Sequence, residues 1–241
     1  MENERFLEVY SQVEEMGTEL VFLENWIDAD PIKQEGKGIV TYPRDAWLNV
    51  DGVTYFNHTV KRDFLPELDW EESEGPFSFE GGNTIPLRDC RIVLINGDYV
   101  DSGLKTALRE RGLQLYEFGL SDGRHLDFHI NGTPETSDGR SLVYTKSTYD
   151  RNRETIHDIL DQGFEPVQVD REETNLGAPN FISIYGEPSI IFVPDLTPRT
   201  NDRIRRAVGE EHVVEVGGDM LECLAEDCSA GLRCVSNEVY E

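Results

Sequence analysis

No apolar stretch in this chain approaches the ~20 residues a membrane-spanning helix needs. Cations are scarce: 22 Lys+Arg stand against 48 Asp+Glu, a formal charge of −26. Nucleic acid is therefore not an expected partner, because a polyanion would be repelled. Four Cys in 241 residues are too few for a disulfide scaffold. Met1 to Arg5 opens the chain with Glu2, Glu4 and Arg5 and offers no apolar signal core, so the expectation is a cytoplasmic protein without a membrane partner. Lys is rare even among the cations: Lys33, Lys37, Lys61, Lys105 and Lys146 are the only five. Excess carboxylate with so little Lys fits a protein working in concentrated salt. There the Debye length shrinks to ~3 Å at 1 M and self-repulsion is screened. An acidic protein of ordinary cytosol is the alternative. What the chain does have is a hydrophobic fraction of 38%, with 3 Trp, 9 Tyr and 11 Phe. That suits one globular domain over 1–241 with a sizeable core, and argues against disorder.

The chain repeats itself. Arg91–Ile95 reads as a strand, Asp101–Arg111 as a helix with Ser102 as a cap, and Leu113–Phe118 as another strand. The plan recurs at Leu142–Tyr144, Asp150–Gln162 and Glu165–Val169, then at Ile190–Val193, Arg199–Val208 and Val213–Val216. The helices start near 101, 150 and 199, two steps of 49 residues. Gly112, Gly163 and Gly209 follow them, as suits a left-handed C′ position. A further short strand follows each unit: Leu126–Ile130, Phe181–Tyr185 and Leu232–Val235. Before residue 90, a helix over Glu4–Met16 and strands at Glu19–Leu23, Gly38–Tyr42 and Thr54–Phe56 make two degenerate copies, giving about five. Phe64–Phe79 reads as a polar loop, lid-like or simply solvated.

In a ring of such units, strand ends converge on a shared axis. Four places then carry chemistry: Asp45 in Tyr42–Trp47, Glu80 in Glu80-Gly81-Gly82-Asn83, the pair in His125-Leu126-Asp127, and Cys234 after Gly231. On a strand, residues two apart share a face, so His125 and Asp127 would point the same way. A Cys thiolate is a nucleophile, and a His can protonate a leaving amine and then activate water. Carboxylates beside a thiolate oppose its ionisation unless the substrate is itself a cation. A guanidinium fits, being planar, permanently charged and gripped bidentately by carboxylates.

Each residue also has an ordinary reading: a structural Cys, a Gly-Gly turn, a surface Arg–Asp pair. His129 continues the alternation, so His125, Asp127 and His129 form an alternative three-ligand metal face. His157 is expected on an exposed helix face, His58 and His212 in loops, and Cys90 at the start of a strand. Cys223 and Cys228 lie in a Cys-x4-Cys spacing, not that of a redox or zinc pair.

Taken in order, Arg44-Asp45, Glu80-Gly81-Gly82-Asn83, His125-Leu126-Asp127 and Cys234 resemble the guanidino-group-modifying, or pentein, superfamily. It includes arginine and agmatine deiminases, dimethylarginine dimethylaminohydrolase and amidinotransferases. Asn175–Asn180 and Pro198-Arg199-Thr200-Asn201 are similar to further segments of that superfamily, and Asn83 is similar to the agmatine deiminases. The resemblance implies an α/β fold, a five-unit ββαβ pseudo-symmetric propeller. It implies Cys234 as nucleophile, His125 as general acid/base, and Asp45, Glu80 and Asp127 as guanidinium ligands, with Glu80 also orienting His125. Asn83 and Arg44 are further substrate-binding candidates. The implied activity is hydrolysis of an arginine-like guanidino compound through a covalent amidino-thioether, with no metal and no cofactor. Amidino transfer to an amine is the alternative within the family, and a non-catalytic binding or assembly protein the alternative outside catalysis. Arg44, Arg62, Arg88, Arg124 and Arg233 are the candidates to meet a substrate carboxylate. A homodimer is compatible with the sequence.

Overall fold

The computed structural model describes residues 47–57, 73–120 and 123–217. They form four three-stranded sheets of one design. The first comprises β1 (Trp47–Val50), β2 (Val53–Asn57) and β3 (Ser73–Phe77). The second comprises β4 (Thr84–Leu87), β5 (Ile92–Asn96) and β6 (Gln114–Phe118), with helix α1 (Ser102–Glu110) between the last two. The third comprises β7 (Ile130–Gly132), β8 (Ser141–Tyr144) and β9 (Glu165–Gln168), with α2 (Lys146–Arg151) and α3 (Arg153–Leu160). The fourth comprises β10 (Ile182–Ile184), β11 (Ile190–Pro194) and β12 (Val213–Val216), with α4 (Pro198–Val208). In every sheet the first strand pairs antiparallel with the second, and the second parallel with the third.

The central strands are buried throughout because each has two cores to serve. In β5, Ile92 and Leu94 point into a cluster with Leu142, Tyr144, Ile156 and Ile159. Val93 and Ile95 point into another with Val53, Tyr55, Leu104 and Leu108. In β8, Leu142 and Tyr144 join the first of these, while Val143 joins Ile191, Val193, Ile204 and Val208. A strand covered on both faces reads as a continuous apolar run rather than an alternation.

The repeat is confirmed with its frame moved. The short strands assigned above to the end of each unit open the next sheet instead: β7 pairs with β8, and β10 with β11. The unit is therefore ββαβ. Four sheets are present among the described residues and none closes on itself. The fifth unit, the helix at Glu4–Met16 and the strands at Glu19–Leu23, Gly38–Tyr42 and Leu232–Val235 lie outside them.

Local departures have physical causes. Asp101, not Ser102, caps α1, its carboxylate accepting from Leu104 N at 2.8 Å. The helix expected from Asp150 begins at Lys146 under a Thr145 cap and breaks at Asn152. There the Asn152 amide binds Gly119 N and O at 3.0 and 3.2 Å, pinning the break to the end of β6. β1 and β2 form a hairpin whose turn, Asp51-Gly52, takes positive φ at both residues (55° and 76°), the Asp-Gly signature of a tight primed turn. The loop expected over Phe64–Phe79 contains β3. Its Gly75 (φ 133°) lies so close to the Phe56 carbonyl that a Cβ would meet it at 2.9 Å. No helix among the described residues is long and apolar enough to cross a membrane.

Candidate functional site

Glu80 sits just after Phe79, which bridges to Val100. Gly81–Asn83 then form a 3-10 turn, closed by Asn83 N donating to Glu80 O at 2.9 Å. His125 stands at the head of a second 3-10 turn, Leu126–Phe128. The two turns pack together, bringing side chains 45 positions apart into contact: Glu80 Oε2 lies 3.5 Å from His125 Nε2. Both are half-exposed, at 45% and 36%. Gly82 makes the approach possible, since a Cβ there would stand 2.5 Å from His125 Nδ1 and 2.8 Å from its Cβ.

The strand expected through His125-Leu126-Asp127 is not there. Leu126 N donates to Asn83 Oδ1 at 3.0 Å. Phe128 N and His129 N donate to His125 O and Leu126 O at 3.2 and 2.8 Å. With those donors engaged, sheet pairing begins only at Ile130. Asp127 lies in the turn and is fully buried. The shared strand face of His125, Asp127 and His129, on which the metal alternative rested, is lost with the strand. Among the described residues, no group of three or more His, Cys, Asp or Glu side chains is placed to hold a metal.

Asn83 is 1% exposed, and both ends of its amide are engaged. Nδ2 donates to Glu80 Oε2 at 2.7 Å, and Oδ1 accepts from Leu126 N and from Asn96 Nδ2, the latter at 3.2 Å. The sequence reading passed over Asn96 and Asn57. Their signal was legible: a polar amide ends each of the apolar runs of β2 and β5. Asn57 Nδ2 donates to Phe79 O, directly before Glu80.

The Asn175–Asn180 segment lies alongside. Asn131 Nδ2 donates to Pro179 O at 2.9 Å and Phe181 O at 3.2 Å. Gly177 (φ 71°) packs so that a Cβ would meet the Phe128 ring at 3.2 Å. The Pro198–Asn201 segment opens α4, and Glu173 caps it from a distance. Its carboxylate accepts from Arg199 N (2.8 Å), Thr200 N (2.8 Å) and Thr200 Oγ1 (2.6 Å).

Of the candidate cations, Arg88 lies over the Tyr185 ring at 5.3 Å, and burial brings its guanidinium down to about 10. Arg124 donates to Asn175 Oδ1 at 3.3 Å. His212, expected in a loop, is buried in a 3-10 turn with Nδ1 2.8 Å from Ser189 O. His157 is exposed on α3 and meets Tyr149 Oη at 3.1 Å. Cys90 is half-buried, and its Sγ donates to Leu87 O at 3.4 Å. Asp45, Arg44, Arg62, Arg233, His58, Cys223, Cys228 and Cys234 lie outside the described residues.

No family model matches the chain, and no curated protein matches its sequence. Solved structures do match its fold. The substrate-bound N-terminal domain of ArgZ, an arginine dihydrolase from the ornithine–ammonia cycle in cyanobacteria, superposes with a TM-score of 0.58 at 15% identity, covering 92% of this chain and 81% of that one. An amidinotransferase of the saxitoxin biosynthetic pathway, SxtG from Microseira wollei, gives 0.56 at 10% identity, covering 97% and 81%. A dimethylarginine dimethylaminohydrolase in adduct with S-methyl-L-thiocitrulline gives 0.53 at 17% identity, covering 82% and 77%. What these solved structures share with the chain is a fold.

Proposed function

We propose that the chain is a hydrolase of an arginine-like guanidino compound, working through a covalent Cys intermediate. The observation that carries this reading is the meeting of Glu80 and His125, from two separate motifs, at 3.5 Å over a glycine that admits the imidazole. The fold it shares with arginine dihydrolase and dimethylarginine dimethylaminohydrolase structures supports the same class.

In this reading Asp45, Glu80 and Asp127 hold the guanidinium, with Arg44 as a further substrate contact, and its positive charge favours the Cys234 thiolate. Sulfur adds to the guanidinium carbon. The C–N bond breaks, and His125 in its protonated form hands a proton to the departing ammonia or alkylamine. His125 then takes a proton from water as the oxygen adds to the amidino-thioether. The C–S bond breaks, regenerating the thiolate and releasing a ureido product. Likeness to an amidinotransferase over 97% of the chain supports a second reading, in which an amine replaces water.

The test is incubation of the full chain in concentrated salt with arginine, agmatine and methylated arginines, with colorimetric detection of ureido products. A parallel arm adds ornithine or glycine and looks for a new guanidino compound. Cys234→Ser should abolish turnover and leave the melting temperature in place. Turnover that survives the substitution refutes the mechanism, and no turnover of any guanidine favours a binding protein.

A further inference from the structure

Resting on the reading of Glu80 and His125 as an acid–imidazole pair, we propose that Asn83, seated by Asn96, is a positioning residue that fixes Glu80 as a hydrogen-bond acceptor facing His125. Asn83 and Asn96 are each 1% exposed, so water does not compete for their amides. Asn83 Oδ1 receives Leu126 N at 3.0 Å. A backbone N–H can only donate, so the atom it meets is the amide oxygen. Asn96 Nδ2 adds a second donor to that oxygen at 3.2 Å. The other end of the planar amide is therefore NH2, and it stands 2.7 Å from Glu80 Oε2. An NH2 cannot accept, so Oε2 bears no proton on that side. This same oxygen is the one 3.5 Å from His125 Nε2.

One side chain thus holds both partners: the acid directly, and the imidazole through the backbone of the next residue. The turn is fastened again where Asn57 Nδ2 donates to Phe79 O. Asn57 and Asn96 are the last residues of β2 and β5, so the pair is set by the ends of two central strands. Asn83 is accordingly assigned to positioning rather than to the substrate contact expected from sequence, since both ends of its amide are turned inward. Among the described residues, His125 is the ion-pair partner of Glu80. An Asp at position 83 would set two carboxylates at the present separation of 2.7 Å, where both cannot ionise. A proton on Glu80 removes the acceptor.

The experiment uses the full chain as wild type, N83D and N96A. Carbon-13 NMR follows the carboxyl titrations, and kcat and KM are measured against pH on whichever guanidine the wild type turns over. In N83D, one carboxyl is expected to titrate at least about one unit above the ordinary range near 4. Its kcat should fall at least about tenfold at pH 6 and recover as pH rises, with KM within about twofold. N96A should lower kcat about three- to tenfold at unchanged KM. Ordinary titration of every carboxyl in N83D overturns the proposal. So does a pH–rate profile that superimposes on wild type, or a loss confined to KM. Should N83D fail to fold, N96A decides, since it adds no charge: an unchanged kcat overturns the positioning role. A wild type that turns over no guanidine refutes the reaction proposed above, and the carboxyl titration alone then decides whether Asn83 sets the state of Glu80.

Discussion

Gly82→Ala puts the proposed site under the sharpest test. The added methyl carbon would sit 2.5 Å from His125 Nδ1 and 2.8 Å from both its Cβ and Cγ. Comfortable carbon contacts lie at ~3.5–4.0 Å. Because His125 Cβ is itself too close, rotating the imidazole gives no relief, and one turn must back away from the other by about 0.7–1 Å. A displacement of that size in a catalytic group costs ~100-fold in rate, equivalent to about 2.7 kcal/mol of transition-state stabilisation. Overpacking should also cost about 1–3 kcal/mol of stability, each kcal/mol lowering Tm by about 2–4 °C in a chain of this size. The assay is kcat/KM for the preferred guanidine beside a thermal melt. Gly119→Ala is the control, since a Cβ there meets nothing within 4 Å and should change neither reading. If Gly82→Ala keeps its rate within about threefold of wild type and melts unchanged, the close contact of the two turns is not what sets His125 in place.

Glu173→Ala should destabilise the fold by about 2–3 kcal/mol, because two N–H groups of α4 and the Thr200 hydroxyl lose a buried charged acceptor. Glu173→Gln should lose less, and an unchanged melt for Glu173→Ala would show that water serves equally well. The Asp170 carboxyl is held below its ordinary value, first by the Glu172 backbone N–H and then by Arg199 and Arg203. With the folded value lowered, its contribution is present above the ordinary 3.8 and is lost as pH falls through the folded value. Asp170→Asn should therefore flatten the acid side of a Tm–pH curve, and a parallel curve would contradict this. Burial is the largest influence on the Cys90 thiol and pushes it up, with Arg140 partly opposing. Cys90 should thus alkylate more slowly at pH 7 than a free cysteine by peptide mapping, and labelling at the free rate would refute that environment.

The sequence reading was strongest where the chain pays attention to itself locally. The apolar runs Ile92–Ile95 and Ile190–Val193, with a helix after each, announced the parallel pairs, because strands covered on both faces need no alternation. Where a partner decides, the reading slipped. β3 carries a poor strand sequence and forms by pairing with β2. The turn at His125 exists because Asn83, 43 positions earlier than Leu126, takes a backbone donor that a strand would have used. Glu80 and His125, named from separate motifs, nonetheless meet at 3.5 Å, since residue type at a shared point of a repeat survives an error in local conformation. The polar end of an apolar run marks Asn96 as a candidate, but no spacing in the chain names Asn83 as its partner.

The double duty of the central strands bears on how this chain can be cut and rebuilt. In a solenoid, repeats can be added or trimmed with only nearest-neighbour consequences. Here β5 and β8 are party walls, each furnishing the rooms on either side. A lone ββαβ module excised from the middle would carry a bare apolar flank, and a cavity opened in one wall would be felt in two compartments. Engineering should respect those walls and make its changes in the connecting turns.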